Sequence, residues 1–98
     1  MIAKVHKTPN GMILALCDTE ILGKTFEEGK LQLNLDSQFY NGEEISDEEV
    51  EKLLKIVYIV NAVGELAVGL LIKKGLVPEE LILKIAEIPH VQCVVERT

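Results

Sequence analysis

The 98-residue sequence is poor in aromatic residues and in positive charge, and both shortages narrow what the chain can do. Only 4% of its residues are aromatic and none is tryptophan, so a stacking platform for nucleic-acid bases is not expected. Basic residues number 10 against 16 acidic ones, giving a net charge of −6. Because nucleic-acid affinity draws largely on cations placed against phosphates, this balance disfavours direct nucleic-acid binding.

The sequence also lacks the pattern of a secretory signal, since Met1 leads directly into a strand-like run. It contains two cysteines, Cys17 and Cys93, which are far apart. We therefore expect a cytoplasmic protein in which both thiols are free and buried.

One long apolar stretch, residues 56–72, has to be weighed as a membrane span. It lies at the short end of the roughly 17–25 residues that a spanning helix needs. It also contains Glu65, and a charge at the membrane centre costs about 2.5–3.5 kcal/mol. A buried strand followed by a helix explains the same composition, so we predict no membrane association.

Common catalytic and metal-binding motifs are missing. Gly23-Lys24-Thr25 resembles the end of a phosphate-binding loop, but Asp18 stands where that loop needs its first glycine, and an anion there repels phosphate. His90 and Cys93 fall on opposite faces of a strand, and no other ligand cluster accompanies them. The sequence therefore predicts no catalytic residue, no metal and no cofactor, and favours a protein that is not an enzyme.

The first half of the chain predicts strands followed by one helix. Ile2–Lys7 and Met12–Cys17 read as a β-hairpin around the turn Thr8–Gly11, and Lys30–Leu35 alternates as a half-buried strand does. Ser46-Asp47-Glu48-Glu49 matches a capping box that begins an amphipathic helix.

The second half is more ambiguous. Residues 56–60 fit either a strand or a continuation of the helix, and Asn61 could cap a second helix that ends before Gly75. Residues 81–85 fit a strand or a short helix, with Pro89 separating them from a last strand at residues 91–95. We predict a single α/β domain over residues 1–98, with α+β as the alternative: an N-terminal hairpin plus a mixed sheet of about five to six strands and two main helices.

The turn Asn61–Glu65 is the best candidate for a ligand site, because ligands of α/β folds bind where strands end and helices begin. Glu65 is the one acid in an apolar stretch, although a Glu stabilised by the helix dipole in the first turn is the better explanation of it. The candidate ligand-binding residues are Gly23, Lys24, Thr25, Asn61, Gly64, Glu65, His90 and Gln92.

Four segments carry a resemblance to a known family: residues 17–31, Phe39-Tyr40, residues 61–65 and residues 89–92. Together they resemble the archaeal domain-of-unknown-function family 424. The resemblance implies a cytosolic archaeal protein with no established activity and a suspected link to RNA or translation. Ala86-Glu87 departs from the glycine-rich sequence expected there in relatives.

Three functions remain open. The first is a non-catalytic binding or adaptor module with a protein or ribonucleoprotein partner, associated with RNA or translation machinery, for which the acidic block at residues 43–51 is the face to test. The second is a small-ligand binder or enzyme that uses a cleft between Lys24, Glu65 and His90. The third is direct RNA binding through Lys4, Lys7, Lys24 and Lys30.

Overall fold

The structure, a computed structural model, describes residues 1–95, in which strands and helices form an α+β fold. Its strands are β1 (Ile2–Thr8), β2 (Gly11–Cys17), β3 (Thr25–Glu28), β4 (Leu31–Asn34), β5 (Glu43–Glu44), β6 (Ile59–Val63), β7 (Leu83–Ile85) and β8 (Ile88–Val94). Its helices are α1 (Asp47–Leu54) and α2 (Glu65–Lys73). Six strands form a mixed sheet in the order β5-β1-β2-β6-β8-β7, and β3 pairs with β4 alone.

Both helices cover one side of the large sheet, which we call the helix face. Strand side chains alternate between faces, so neighbouring strands contribute matching rows of apolar residues to this side. The core here is made of Ala3, Leu14, Leu16, Val60, Ala62 and Val91 from the sheet with Val50, Leu54, Ala67, Val68 and Leu71 from the helices.

The opposite side, which we call the hairpin face, is covered over part of its area by the β3–β4 hairpin and the loop after it. Ile2, Cys17 and Val63 lie side by side in one cross-strand row and pack with Leu35. The phenyl ring of Phe39 stacks on the imidazole of His6 at a centroid distance of 4.6 Å. The sheet is therefore buried on both sides where β1, β2 and β6 lie side by side at this row.

Two local predictions are confirmed. β1 and β2 form the predicted hairpin, in which Thr8 pairs with Gly11. The Ser46 hydroxyl accepts a hydrogen bond from the backbone N–H of Glu49, and the Glu49 side chain accepts one from the Ser46 backbone, so the capping box is complete.

Three predicted boundaries are wrong or only partly right. Pro89 does not separate the last two strands; it lies inside β8, and the chain turns instead at Ala86 and Glu87, both with positive φ. Of residues 56–60, only Ile59 and the residue after it belong to a strand. Residues 79–81 form a short 3-10 turn before β7 begins at Leu83, so this segment contains both of the predicted alternatives.

Asn61 does not cap a helix; it lies within β6, and α2 begins at Glu65. The reason is that the last strand residue, Val63, is followed by Gly64, whose φ of 105° only glycine adopts readily.

No helix within residues 1–95 is long and apolar enough to cross a membrane.

Candidate functional site

The start of α2 is held by a side chain from the end of β2. The Asp18 carboxylate accepts hydrogen bonds from the backbone N–H of Leu66 at 3.0 Å and of Ala67 at 2.7 Å. The Asp18 N–H in turn donates to the carbonyl of Val63 at 3.1 Å. Asp18 thus does for α2 what a capping side chain normally does from within the helix's own sequence.

This arrangement fills the predicted ligand site at the start of α2 from inside the molecule. The first N–H groups of a helix attract anions, and here the anion is a carboxylate of the same chain. Gly64 donates its own N–H to the carbonyl of Pro89 at 2.8 Å. The turn at residues 61–65 is therefore a structural junction that joins β2, β6, β8 and α2.

The other candidate residues face different cavities. Gly23 lines one of about 230 Å³ together with Leu35. Glu65 is exposed in the first turn of α2 and lines a groove of about 300 Å³ with Lys84 and Pro89. Lys24 and Thr25 are exposed where β3 begins, and the Thr25 hydroxyl donates to Asn34 at 3.3 Å.

His90 and Gln92 share the hairpin face of β8, as their spacing predicted. Val63 lies opposite His90, and Asn61 lies opposite Gln92 on the neighbouring strand. Glu65, by contrast, belongs to the helix that packs on the other face. The structure therefore brings Asn61 and Gln92 together but leaves the sheet between His90 and Glu65.

His90 and the two cysteines have environments unlike those of reactive groups. The Nδ1 atom of His90 is buried without a hydrogen-bond partner among the described residues. Burial, and then the neighbouring Asp18 carboxylate, raise the pKa of the Cys17 thiol to about 11, and burial also raises the pKa of Cys93. Both thiols are free, and a nucleophilic cysteine needs the opposite shift.

Within residues 1–95, no group of three or more His, Cys, Asp or Glu side chains is placed to hold a metal ion.

Several charged side chains that were predicted to face a partner instead contact other residues of the chain. The Lys4 ammonium donates to the carbonyl of Gln38 at 2.9 Å. In the acidic block, Glu51 pairs with Lys74, and this pairing lowers the pKa of its carboxyl group.

The outer edge of β8 is unpaired over part of its length. Gly64 bonds to Pro89 and Tyr58 to Val95 at the two ends of the β6–β8 ladder. Opposed residues of an antiparallel pair alternate between bonded and non-bonded, so the backbone groups of Gln92 and Val94 point away from β6.

No strand within residues 1–95 receives those groups. β7 pairs with β8 only as far as Leu83 opposite His90. Continuing the same register would place Leu81 opposite Gln92 and Glu79 opposite Val94, but residues 79–81 have left the sheet as a 3-10 turn. Among the described residues, the outward N–H and C=O groups of Gln92 and Val94 have no partner.

A cavity of about 440 Å³ lies along this edge, and we call it the edge groove. Three consecutive residues of β8 line it, which is possible for a strand only when the cavity runs along the backbone edge and not over one face. The opposite wall is the segment before β7. The groove residues are Gly75, Leu76, Val77, Pro78, Leu81, Gln92, Cys93 and Val94.

The edge groove is lined by polar and apolar surface in similar amounts and is open to solvent. Leu81 is 61% exposed and Val94 is 50% exposed, although both are large hydrophobic residues. Sequence reasoning identified Gln92 but missed Leu81 and Val94, along with the capping role of Asp18. A hairpin's register depends on where its turn falls, and the expected break at Pro89 hid the unpaired length of β8.

Comparisons with known proteins find one family model and one similar solved structure. A model for a family described as "Protein of unknown function (DUF424)" matches residues 6–95. An uncharacterized conserved protein from Methanopyrus kandleri has a similar crystal structure, at 28% sequence identity and a TM-score of 0.80, over 96% of this chain and 90% of that one. A search of curated proteins gives no match.

Proposed function

The chain belongs to the DUF424 family, and we propose that it is a non-catalytic protein-binding module that engages its partner through the edge groove. One observation carries the proposal: an unpaired strand edge and two exposed hydrophobic residues, Leu81 and Val94, border the same 440 Å³ cavity. Exposed apolar surface of this kind is typical of interaction sites, and open strand edges are usually blocked in proteins that do not use them.

The other two functions have less support. An enzyme or small-ligand site between Lys24, Glu65 and His90 would need these three side chains to meet in one cleft. They face different parts of the molecule, and Glu65 and His90 lie on opposite sides of the sheet. RNA binding would need a shared patch of lysines, but Lys4 is tied to the Gln38 carbonyl, and Lys30 lies in the turn of the β3–β4 hairpin beside acidic residues. The free thiols of Cys17 and Cys93 fit a cytoplasmic protein.

The test compares three forms of the tagged protein in affinity purification from the native cell extract. Leu81→Glu places a charge in the edge groove, and Leu66→Glu places the same charge on α2, where Leu66 is 71% exposed. Both side chains are exposed, so both variants should melt like the wild type. We expect the wild type and Leu66→Glu to recover the same proteins and Leu81→Glu to lose them, with or without ribonuclease treatment.

Recovery that is unchanged in Leu81→Glu contradicts binding through the edge groove. Recovery that disappears on ribonuclease treatment, and weakens steeply with salt, would show an RNA-mediated association instead.

A further inference from the structure

We propose that the edge groove binds an extended peptide segment, which adds as one short strand beside residues 92–94 of β8. This inference rests on the proposed function and names the chemistry of the partner. Strand addition is a common mode of peptide recognition, in which main-chain hydrogen bonds supply affinity and pockets for alternate side chains supply selectivity.

The unpaired backbone groups specify the geometry of the occupant. Gln92 and Val94 are two residues apart in a strand, so their outward groups repeat at about 6.6–6.8 Å. Only another extended backbone presents donors and acceptors at this repeat. A helix cannot, because all but its terminal N–H and C=O groups are bonded within the helix.

The shape of the groove favours a single strand over the edge of a second folded sheet. One wall is the β8 edge, and the other is the segment from Gly75 to Leu81. This second wall, together with the end of β7 at Leu83, leaves about three residues of β8 open. A second copy of this chain would have to bring its own flanking segment into the same space.

The lining predicts which residues the peptide carries. The volume, about 440 Å³, is within the range of sites that hold small ligands, and Leu76, Val77 and Leu81 give it an apolar wall. Glu80 is exposed beside the groove residue Leu81, whereas Glu79 lines the neighbouring groove with Glu65. We therefore infer a peptide with an apolar residue that enters the groove and a Lys or Arg nearby to complement the Glu80 carboxylate.

The probe is a display library of random peptides about ten residues long, selected on the immobilised full chain. Each selected peptide is then made in versions that carry one N-methyl group at successive positions. N-methylation removes a single backbone donor, so strand addition predicts a loss of affinity of about tenfold at alternate positions and little change at the positions between them. This scan leaves the protein unaltered.

A protein variant supplies the matching test. Val94→Pro removes the N–H that points into the groove and leaves the ladder to β6 intact, and proline is tolerated at strand edges. Val94→Thr keeps that N–H and serves as the control. We expect Val94→Pro to weaken peptide binding about tenfold and Val94→Thr to retain it, with similar melting curves for both.

Four results would overturn strand addition: no peptide enriched over an unrelated target, a flat N-methyl scan, equal affinities for the two Val94 variants, or a wild-type dimer in sedimentation that Val94→Pro abolishes. If capture from cells is still lost in Leu81→Glu when the scan is flat, the protein-binding function stands and the strand geometry is wrong. If Leu81→Glu captures the same proteins as the wild type, the proposed function itself fails.

Discussion

The carboxylate of Asp18 occupies the space that a side chain on Gly64 would need. A Cβ atom built on Gly64 would lie 2.5 Å from Oδ2 of Asp18, well inside any van der Waals contact. The same carboxylate caps α2 through the N–H groups of Leu66 and Ala67. Glycine at residue 64 and aspartate at residue 18 therefore form one structural unit that fixes α2 to the end of β2.

Replacing Gly64 with alanine should destabilise the fold strongly. The φ of 105° is strained for alanine by about 1–3 kcal/mol, and the new Cβ would also displace the Asp18 carboxylate, so we expect a total loss of about 3 kcal/mol or more. Gly69→Ala is the matched control, because Gly69 is inside α2 with nothing within 4 Å, and should gain about 0.5–1 kcal/mol. Urea unfolding measures both; equal free energies of unfolding would refute the prediction.

Removing the Asp18 carboxylate should lower the free energy of unfolding less than Gly64→Ala does. We expect Asp18→Ala to lower the free energy of unfolding by about 1–3 kcal/mol, since two charge-assisted hydrogen bonds disappear. Asp36→Ala, at an exposed aspartate, should change it little. The double variant Asp18→Ala/Gly64→Ala should be less destabilised than the sum of the single ones, because the added methyl group then has room. Strict additivity would mean that the two residues act independently.

Stability should fall at alkaline pH because of Cys17. Its pKa is about 11 in the fold against 9.0 as a reference, so the folded state binds more protons between these values. The Cys17 contribution is thus fully present below pH 9 and is lost as pH rises toward 11, by about 1 kcal/mol per pH unit. Unfolding at pH 8 to 10.5 should be steeper with pH for the wild type than for Cys17→Ala. Parallel profiles would contradict this.

Replacement of His90 by leucine should be tolerated. Its buried Nδ1 atom has no partner in the described part of the chain, and exchanging an unsatisfied polar group for an apolar one is often neutral or stabilising. We expect a change within about 1 kcal/mol, measured by thermal and urea unfolding. A loss of several kcal/mol would show that the imidazole has a structural role that its surroundings do not reveal.

The sequence was sufficient for those parts of the fold whose signals are local. The capping box at Ser46, the turn at Thr8–Gly11 and the apolar face of α1 each arise from residues within a few positions of one another. β3 was missed because Phe26 is its one apolar residue, so the segment has no alternating pattern of its own. The start of α2 was misplaced because Asp18, its cap, is 48 residues before Leu66, so no local pattern reveals it.

The candidate site was harder to predict because it depends on what is absent from the sheet. Gln92 was identified for its side chain, but its importance here comes from its outward backbone N–H and C=O groups, which no strand within residues 1–95 receives. That gap follows from the turn at Ala86 and Glu87 together with the 3-10 turn that starts after Pro78. Local sequence patterns do not show how many residues of a strand such as β8 are left without a neighbouring strand.

The most direct test of the edge groove as a binding surface is amide hydrogen exchange along β8, without and with a selected peptide. In the free protein, the amides of Gln92 and Val94 should exchange much faster than those of Val91 and Cys93, which face β6. On binding, exchange at Gln92 and Val94 should slow by about tenfold or more, while Val91 and Cys93 stay protected throughout. A bound peptide that leaves Gln92 and Val94 exchanging as in the free protein would contradict the account.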